Sequence, residues 1–464
     1  MNLFIHVNKK LKKPMYVQIY ERIKEKILYK EISEGEKLPS ILELANELKI
    51  SKNTVIQSYQ QLVVEGYISN KAKSGFYVNK VENPFNYQST RPLNNIIKEK
   101  PTEIFEIDFH PVKTDIQLFP TTVWKRISNE ILEHPFLYDY GDKQGQESLR
   151  KTLALYLKKS RGVHCVPDQI VIGAGTQTLL QMLCLMLKSA ALKVAFEDPG
   201  YYAIRNTFSD LGCDIVPIPV ETDGLNISEL RKTVVDLVFV TPSHQMPLGV
   251  VMSIQKRLDL LRWAVETNSY IIEDDYDGEF RYHTNPVPSL QALDQNNRVI
   301  YMGTFSKSLL PSIRVSYMVL PPDLINLYYQ TFSDYVEQTA SIFHQESLNL
   351  FIKRGHFDYH IKKMRKHYEE KQDKFINIIQ KHMKNEVIIS GKNAGLHIVL
   401  TLKKFMDETA LTEQAKSKQM KVYPITKYRL SNVHTNPTFL FGYGALTEEQ
   451  MDEGIKRLTD LWFK

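Results

Sequence analysis

Tyr301-Met302-Gly303-Thr304-Phe305-Ser306-Lys307-Ser308-Leu309-Leu310-Pro311, followed by Ser312-Ile313-Arg314, is the stretch on which the reading of the chain turns. Arg298-Val299-Ile300-Tyr301 has the apolar character of a short buried strand, so the residues after it place Lys307 at its carboxyl end, where open α/β sheets bind ligands. The hydroxyls of Thr304, Ser306 and Ser308 and the guanidinium fork of Arg314 suit a dianionic phosphate beside an amine-reactive lysine. A lysine that forms a Schiff base needs such a setting. A P-loop is excluded, because Gly-x4-Gly-Lys-Ser/Thr requires glycine before the lysine and Ser306 stands there. Taken alone, a lysine is more often a solvated surface charge, so distant segments have to decide.

Four further segments share this form, an apolar strand that ends in small, acidic or aromatic residues. Gln169-Ile170-Val171-Ile172 leads into Gly173-Ala174-Gly175-Thr176-Gln177 and a helix from Thr178 to Leu187, where the backbone N–H groups of Gly175, Thr176 and Gln177 favour an anion. Lys193-Val194-Ala195-Phe196 leads to Glu197-Asp198-Pro199-Gly200-Tyr201, and Leu237-Val238-Phe239-Val240 to Thr241-Pro242-Ser243-His244-Gln245. Tyr270-Ile271-Ile272 leads to Glu273-Asp274-Asp275-Tyr276-Asp277. From Ile107 to the end, strands and helices alternate as in a layered α/β domain. A pyridine cofactor held through a phosphate needs a carboxylate at its ring nitrogen, a phenol near its ring hydroxyl, an aromatic face, a lysine for its aldehyde and an anion cradle. Asp274, or its neighbour Asp275, fits the carboxylate; Tyr276 fits the phenol, Tyr201 the aromatic face, Lys307 the lysine. Gly175, Thr176, Gln177, Thr304, Ser306 and Arg314 fit the cradle. Each residue alone is better explained by packing or capping, but their joint position at strand ends points to pyridoxal 5'-phosphate.

The chain has 464 residues and 43% hydrophobic content, enough for two or three domains with a large core. Its longest apolar run, Leu179 to Leu187, is interrupted by Gln181 and falls far short of the ~20 residues of a membrane span. Met1 to Lys13 lacks the apolar core of a secretory signal. Three cysteines without metal spacing make a reducing cytoplasm the simplest compartment, with no metal site. Residues 1–80 carry 14 Lys+Arg against 8 Asp+Glu, so the net charge of +6 lies entirely in that segment. Such an excess draws a polyanion.

Within residues 1–80, the spacing predicts three helices and a basic hairpin. Tyr16, Ile19, Tyr20, Ile23 and Ile27 mark the first helix, Ser40 caps a second, and Ser51 caps a third carrying Val55, Ile56, Tyr59, Leu62 and Val63 on its inner face. Tyr67-Ile68-Ser69 and Phe76-Tyr77-Val78 form the hairpin. This is a winged helix-turn-helix, in which Lys52, Asn53, Thr54 and Gln57 face a major groove of duplex DNA and Lys71 and Lys73 reach phosphates from the wing. Residues 81–106 read as a linker. The α/β domain then occupies residues 107–464, with a large subdomain over about 107–335 and a small one over about 336–464.

Leu38-Pro39-Ser40, Glu43-Leu44-Ala45, Ser51-Lys52-Asn53-Thr54-Val55, Glu65-Gly66-Tyr67 and Ser74-Gly75-Phe76 resemble the DNA-binding domain of GntR-type bacterial regulators. Leu42, and Lys52 in many cases, stand where that family has arginine. Gly173–Gln177, Glu197–Tyr201, Thr241–Gln245, Glu273–Asp277 and Gly303–Lys307 resemble class I aminotransferases of fold-type I. The combination resembles the MocR/GabR-type regulators. That resemblance implies an α/β, fold-type I aminotransferase-like domain behind an N-terminal winged helix-turn-helix. It also implies pyridoxal phosphate on Lys307, a head-to-tail, domain-swapped homodimer, an operator as partner, no membrane, and a sensor of a small amine or amino acid, or of the cofactor itself, in place of an enzyme. The alternative is an active aminotransferase with a DNA-binding appendage. GabR-like proteins clamp the effector carboxylate with two arginines; the matching positions here carry Ala203 and Lys427, so Lys427, Arg429 and Arg205 become the candidates for effector binding.

Overall fold

The computed structural model describes residues 7–8, 13–81, 103–187, 192–282, 288–332, 337–431 and 436–464. The chain divides into two units, Met1–Thr102 and Glu103–Lys464. Most of the expected linker, residues 82–102, and the expected subdomain boundary near 335 lie outside the described residues.

In the first unit, α1 (Met15–Leu28), α2 (Ile41–Glu47) and α3 (Lys52–Val64) precede an antiparallel hairpin of β1 (Ile68–Lys71) and β2 (Gly75–Val78). Ile19, Ile23, Leu44, Val55, Tyr59 and Leu62 recur at helical spacing and meet with Ile68 and Val78 in one core. The Tyr59 hydroxyl donates to the Pro39 carbonyl at 2.9 Å, which ties α3 to the start of α2. Ser40 and Glu43 complete a capping box, and the Ser51 hydroxyl accepts from the Thr54 N–H, so both helix starts are fixed by their own side chains. The hairpin runs closer to its turn than the sequence spacing indicates: Lys71 pairs with Gly75, leaving Ala72-Lys73-Ser74 as the turn with Lys73 at φ 62°.

In the second unit, β3 (Ile107–Asp108) comes first. The main sheet then contains β4 (Ile170–Gly173), β5 (Lys193–Asp198), β6 (Asp214–Glu221), β7 (Gly224–Leu225), β8 (Leu237–Val240), β9 (Tyr270–Asp274), β10 (Val299–Thr304) and β11 (Ser316–Val319) in the order β4-β11-β10-β9-β8-β5-β6-β7. Strands β6, β5, β8, β9 and β10 run parallel. Strand β11 is antiparallel to both β10 and β4, so β4 points the same way as β10. Strands β4 and β8 are apolar and buried along their whole length.

A second sheet of β12 (Val387–Ser390), β13 (His397–Leu402), β15 (Tyr423–Pro424) and β16 (Thr438–Gly442) belongs to the C-terminal part, and β14 (Met420–Lys421) pairs with β3. Ile107 and Phe109 therefore share a core with Met364, Tyr368, Phe441 and Trp462. The helix His356–Met383 bridges two cores, giving Phe357 and Ile361 to one and Met364, Tyr368 and Phe375 to the other. Glu103 and Glu106, counted with the linker in the sequence, are bound to this unit through Lys416 and Arg457, each at 2.8 Å. Among the described residues, no helix is long and apolar enough to cross a membrane.

Beneath the ends of β9 and β10, Arg161 meets the Asp275 carboxylate at 2.5 and 3.1 Å and the Ser243 hydroxyl at 2.6 Å, while the Tyr301 hydroxyl donates to Asp275 at 2.6 Å. Removing one charge from such a buried pair strands the other. Asp275→Asn should therefore lower the stability of this unit by roughly 3–5 kcal/mol, read as a fall in its urea-unfolding midpoint. An unchanged midpoint would show that Asp275 is not the structural partner of Arg161.

Candidate functional site

The carboxyl ends of β4, β5, β8, β9 and β10 open onto a cavity of about 790 Å³. Ten residues expected around a cofactor line it, Gly175, Thr176, Gln177, Tyr201, Asp274, Tyr276, Thr304, Ser306, Lys307 and Arg314, whereas Ser308, whose hydroxyl was also expected at the phosphate, is buried and does not. Parallel pairing sets Met302 of β10 opposite Asp274 of β9, which brings the two strand ends, and so Lys307 and Asp274, to one edge of the sheet.

Thr304 caps the short helix Phe305–Ser308, accepting from the Ser306 N–H at 3.2 Å, and this turn carries Lys307. The ammonium stands 4.1 Å from the Tyr276 ring centroid and 3.9 Å from Asp277 Oδ2. Burial pulls the Lys307 pKa below its ordinary value, against the opposing pull of Asp277 and Asp274.

Three carboxylates follow β9, and their environments differ. Asp275 is held by Arg161. Asp277 Oδ2 lies 2.8 Å from His244 Nδ1; burial works to raise its pKa, but His244 and Lys307 hold it below the ordinary value. Asp274 is pushed up to about 8, first by burial and then by Asp275 and Asp277. Its Oδ1 is buried with no hydrogen-bond partner. This orphan acceptor on the cavity wall fits the ring nitrogen of a pyridine cofactor, since a protonated nitrogen there supplies both the missing donor and a positive charge. Of the two carboxylates considered in the sequence, Asp275 pairs with Arg161 and Asp274 lines the cavity.

The helix Thr176–Leu187 starts at the cavity, which Thr176 and Gln177 line, and the N–H groups of a helix's first turn have no partner within the helix. One expectation is corrected: the Gly175 N–H is not free, because it donates to the Gly173 carbonyl at 2.9 Å. Gly175 matters for space. At φ +105°, a Cβ on it would stand 2.2 Å from Arg314 Nη2, so glycine lets the guanidinium pass. Arg314 is itself in the left-handed region at φ 50° and donates to the Ala174 carbonyl at 3.1 Å. The Gln177 side chain is taken up by Thr207 at 2.9 Å, leaving only its backbone for an anion. The Tyr276 hydroxyl donates to the His244 carbonyl at 2.9 Å.

The three residues expected to bind an effector do not line this cavity. Ile425–Tyr428 is a 3-10 helix, whose three-residue period sets Ile425 and Tyr428 inward together and turns Lys427 out. Lys427 is exposed, with Nζ 4.2 Å from the Tyr202 ring centroid. Arg205 donates to the Tyr428 carbonyl at 3.4 Å, and Arg429 follows the same turn. Ala203 does line the cavity. Sequence reasoning missed the wall contributed by residues 112–117, which have no periodic pattern, and the His244–Asp277 pair. Asp277, the fourth acidic residue of Glu273–Asp277, was a usable signal for that pair, since four neighbouring carboxylates cannot share one role.

In the first unit, Lys52, Asn53 and Gln57 are exposed on the amino-terminal half of α3 and Thr54 is half-buried. Ser40 and Ser51 are exposed at the two helix starts, and Lys71 and Lys73 are exposed on the hairpin, Lys71 lying 4.6 Å from the Tyr77 ring centroid.

Comparison with known proteins agrees with this geometry. Residues 112–458 match the family of class I and II aminotransferases, and residues 15–78 match the gntR family of bacterial regulatory proteins. The chain is 42% identical to the uncharacterized HTH-type transcriptional regulator YdeL of Bacillus subtilis over the whole of both chains. It is 33% identical to the probable rhizopine catabolism regulatory protein MocR of Rhizobium meliloti, covering 96% of this chain and 93% of that protein. The crystal structure of kynurenine aminotransferase from Pyrococcus horikoshii is similar at a TM-score of 0.70 and 27% identity, covering 78% of this chain and 91% of that one. Aminotransferases of this fold family depend on pyridoxal phosphate and are typically dimers, and gntR-type domains bind DNA. The chain belongs to the MocR/GabR-type family of transcription regulators, which join a GntR-type DNA-binding domain to a fold-type I aminotransferase-like domain.

Proposed function

We propose that the aminotransferase-like domain of this regulator binds pyridoxal 5'-phosphate at Lys307 and acts as a sensor of a small amine or amino acid, or of the cofactor itself. The regulator works in the cytoplasm as a head-to-tail, domain-swapped homodimer on a double-stranded operator. What carries the reading is the convergence of a buried lysine, an orphan carboxylate and a helix start on one cavity. Bound there, the cofactor supplies an aldehyde carbon that accepts an amine nitrogen. Burial favours the neutral, nucleophilic form of Lys307, against the pull of the Asp277 carboxylate 3.9 Å away. Asp274 keeps the ring nitrogen protonated, Tyr276 faces the ring hydroxyl, and Tyr201 stacks on the ring. The N–H groups of Thr176 and Gln177, the hydroxyls of Thr304 and Ser306, and Arg314 hold the phosphate, with Gly175 making room for Arg314.

Ala203 on the cavity wall cannot pair with a ligand carboxylate, so the arginine pair of GabR-like proteins is not reproduced here. Multiple-turnover transamination of amine and keto-acid pairs by the purified protein would overturn the non-enzyme reading. In the DNA-binding domain, Lys52, Asn53, Thr54 and Gln57 read bases, while Ser40, Ser51, Lys71 and Lys73 position the phosphate backbone.

Three outcomes are expected. Adding pyridoxal phosphate should give the parent protein a visible absorption band that is lost in Lys307→Ala; a variant with an undiminished band would show that another residue holds the aldehyde. Gly175→Ala should weaken cofactor binding by about tenfold or more by displacing Arg314, measured by fluorescence titration. Replacing both Lys52 and Asn53 with alanine should remove discrimination between operator and random duplex in gel shifts while sparing most salt-sensitive, non-specific affinity. Unchanged discrimination would exclude α3 as the reading helix.

A further inference from the structure

We infer that the ligand recognised beside Lys307 is a primary amine with an uncharged, apolar body, and that ω-amino acids and amino sulfonates are disfavoured. This rests on the reading of Lys307 as the cofactor lysine. Once the groups assigned to the cofactor are set aside, much of the remaining cavity wall is made by Val112, Ile116, Ala203, Ile204, Met246 and Ala445. Met246 and Val112 pack with Tyr201 and Tyr276 against Ile425 and Tyr428, so this wall is one face of an apolar cluster.

Among the described residues, two further ionised side chains reach the cavity outside the cofactor groups, and both are already paired. Lys113 Nζ lies 2.8 Å from Asp108 Oδ2. Asp115 Oδ2 lies 3.5 Å from His367 and 3.7 Å from Lys371, and its Oδ1 accepts the Gln117 N–H at 3.0 Å. A carboxylate or sulfonate entering this space gives up hydration without gaining a cation, which is costly. None of the three candidate cations Lys427, Arg429 and Arg205 lines the cavity: Lys427 is turned out by the phase of its 3-10 helix, and Arg205 donates to the Tyr428 carbonyl. An apolar body instead gains burial against Ile204, Met246 and Val112.

The amine requirement comes from Lys307. The incoming nitrogen forms the bond to the cofactor's carbonyl carbon that Lys307 Nζ relinquishes, and Nζ leaves carrying the two hydrogens that the amine brought. No oxidant or reductant enters.

The test uses the full-length, cofactor-loaded protein titrated with phenethylamine, 4-aminobutyrate and 2-aminoethanesulfonate, followed by the visible band and by the thermal midpoint. Phenethylamine should half-saturate at a concentration at least about tenfold below either zwitterion. Ala203→Arg should reduce that ratio for 4-aminobutyrate by about tenfold or invert it, whereas Ala203→Leu, which keeps the wall apolar, should preserve it. Equal or tighter binding of a zwitterion by the parent, or no response to phenethylamine, overturns the ligand class while leaving the cofactor reading intact. Absence of a visible band in the loaded parent overturns both.

Discussion

Charge held away from water is the constraint on which the larger domain is built. The end of β9 delivers Asp274, Asp275 and Asp277 into a region where burial penalises every ionised group. Two of them are compensated inside the protein, Asp275 by Arg161 and Tyr301, Asp277 by His244. The third is not: Asp274 keeps an oxygen without a donor and a pKa near 8. An open acceptor on the cavity wall beside satisfied neighbours fits a cationic partner from outside the chain. The rest of the site follows, since the same sheet edge holds a buried lysine and an anion-favouring helix start.

Much of this was legible in the sequence because the relevant signals are local. Strand ends are marked by apolar runs giving way to Gly, Asp, Thr or Tyr, and the parallel order of the strands does the convergence. The helix caps Ser40 and Ser51 were equally readable, because a cap is a contact between residues three apart. What escaped were relations between segments distant in the chain. The carboxylates after β9 could not be told apart until Arg161 was seen beside Asp275, 114 residues away. Residues 112–117 line the cavity without any periodicity to announce them. Lys427 was misplaced for a different reason: its position in the chain matches a ligand-binding arginine of related regulators, but the short 3-10 helix decides which side it faces.

A cavity of aminotransferase form in a regulator changes what the chemistry is for. An enzyme needs the external substrate to be bound, converted and released; a sensor needs only that ligand-bound and ligand-free states differ in free energy, because only that difference can be transmitted to DNA binding. Exchange of Lys307 for an external amine supplies such a difference without any net reaction. In the function proposed above, it would free the Lys307 amine 3.9 Å from Asp277 and place the ligand's body against the wall beside Ala203.

The coupling itself is the central claim, and operator affinity measures it most directly. A fluorescently labelled operator, selected by the parent protein from random duplexes, would be titrated with cofactor-loaded parent and with Lys307→Ala, each with and without saturating amine. The account predicts that amine shifts the parent's affinity by roughly fivefold or more and leaves the variant's affinity unchanged. An equal amine-dependent shift in both proteins would contradict it, because the signal would then reach the DNA-binding domain without passing through Lys307.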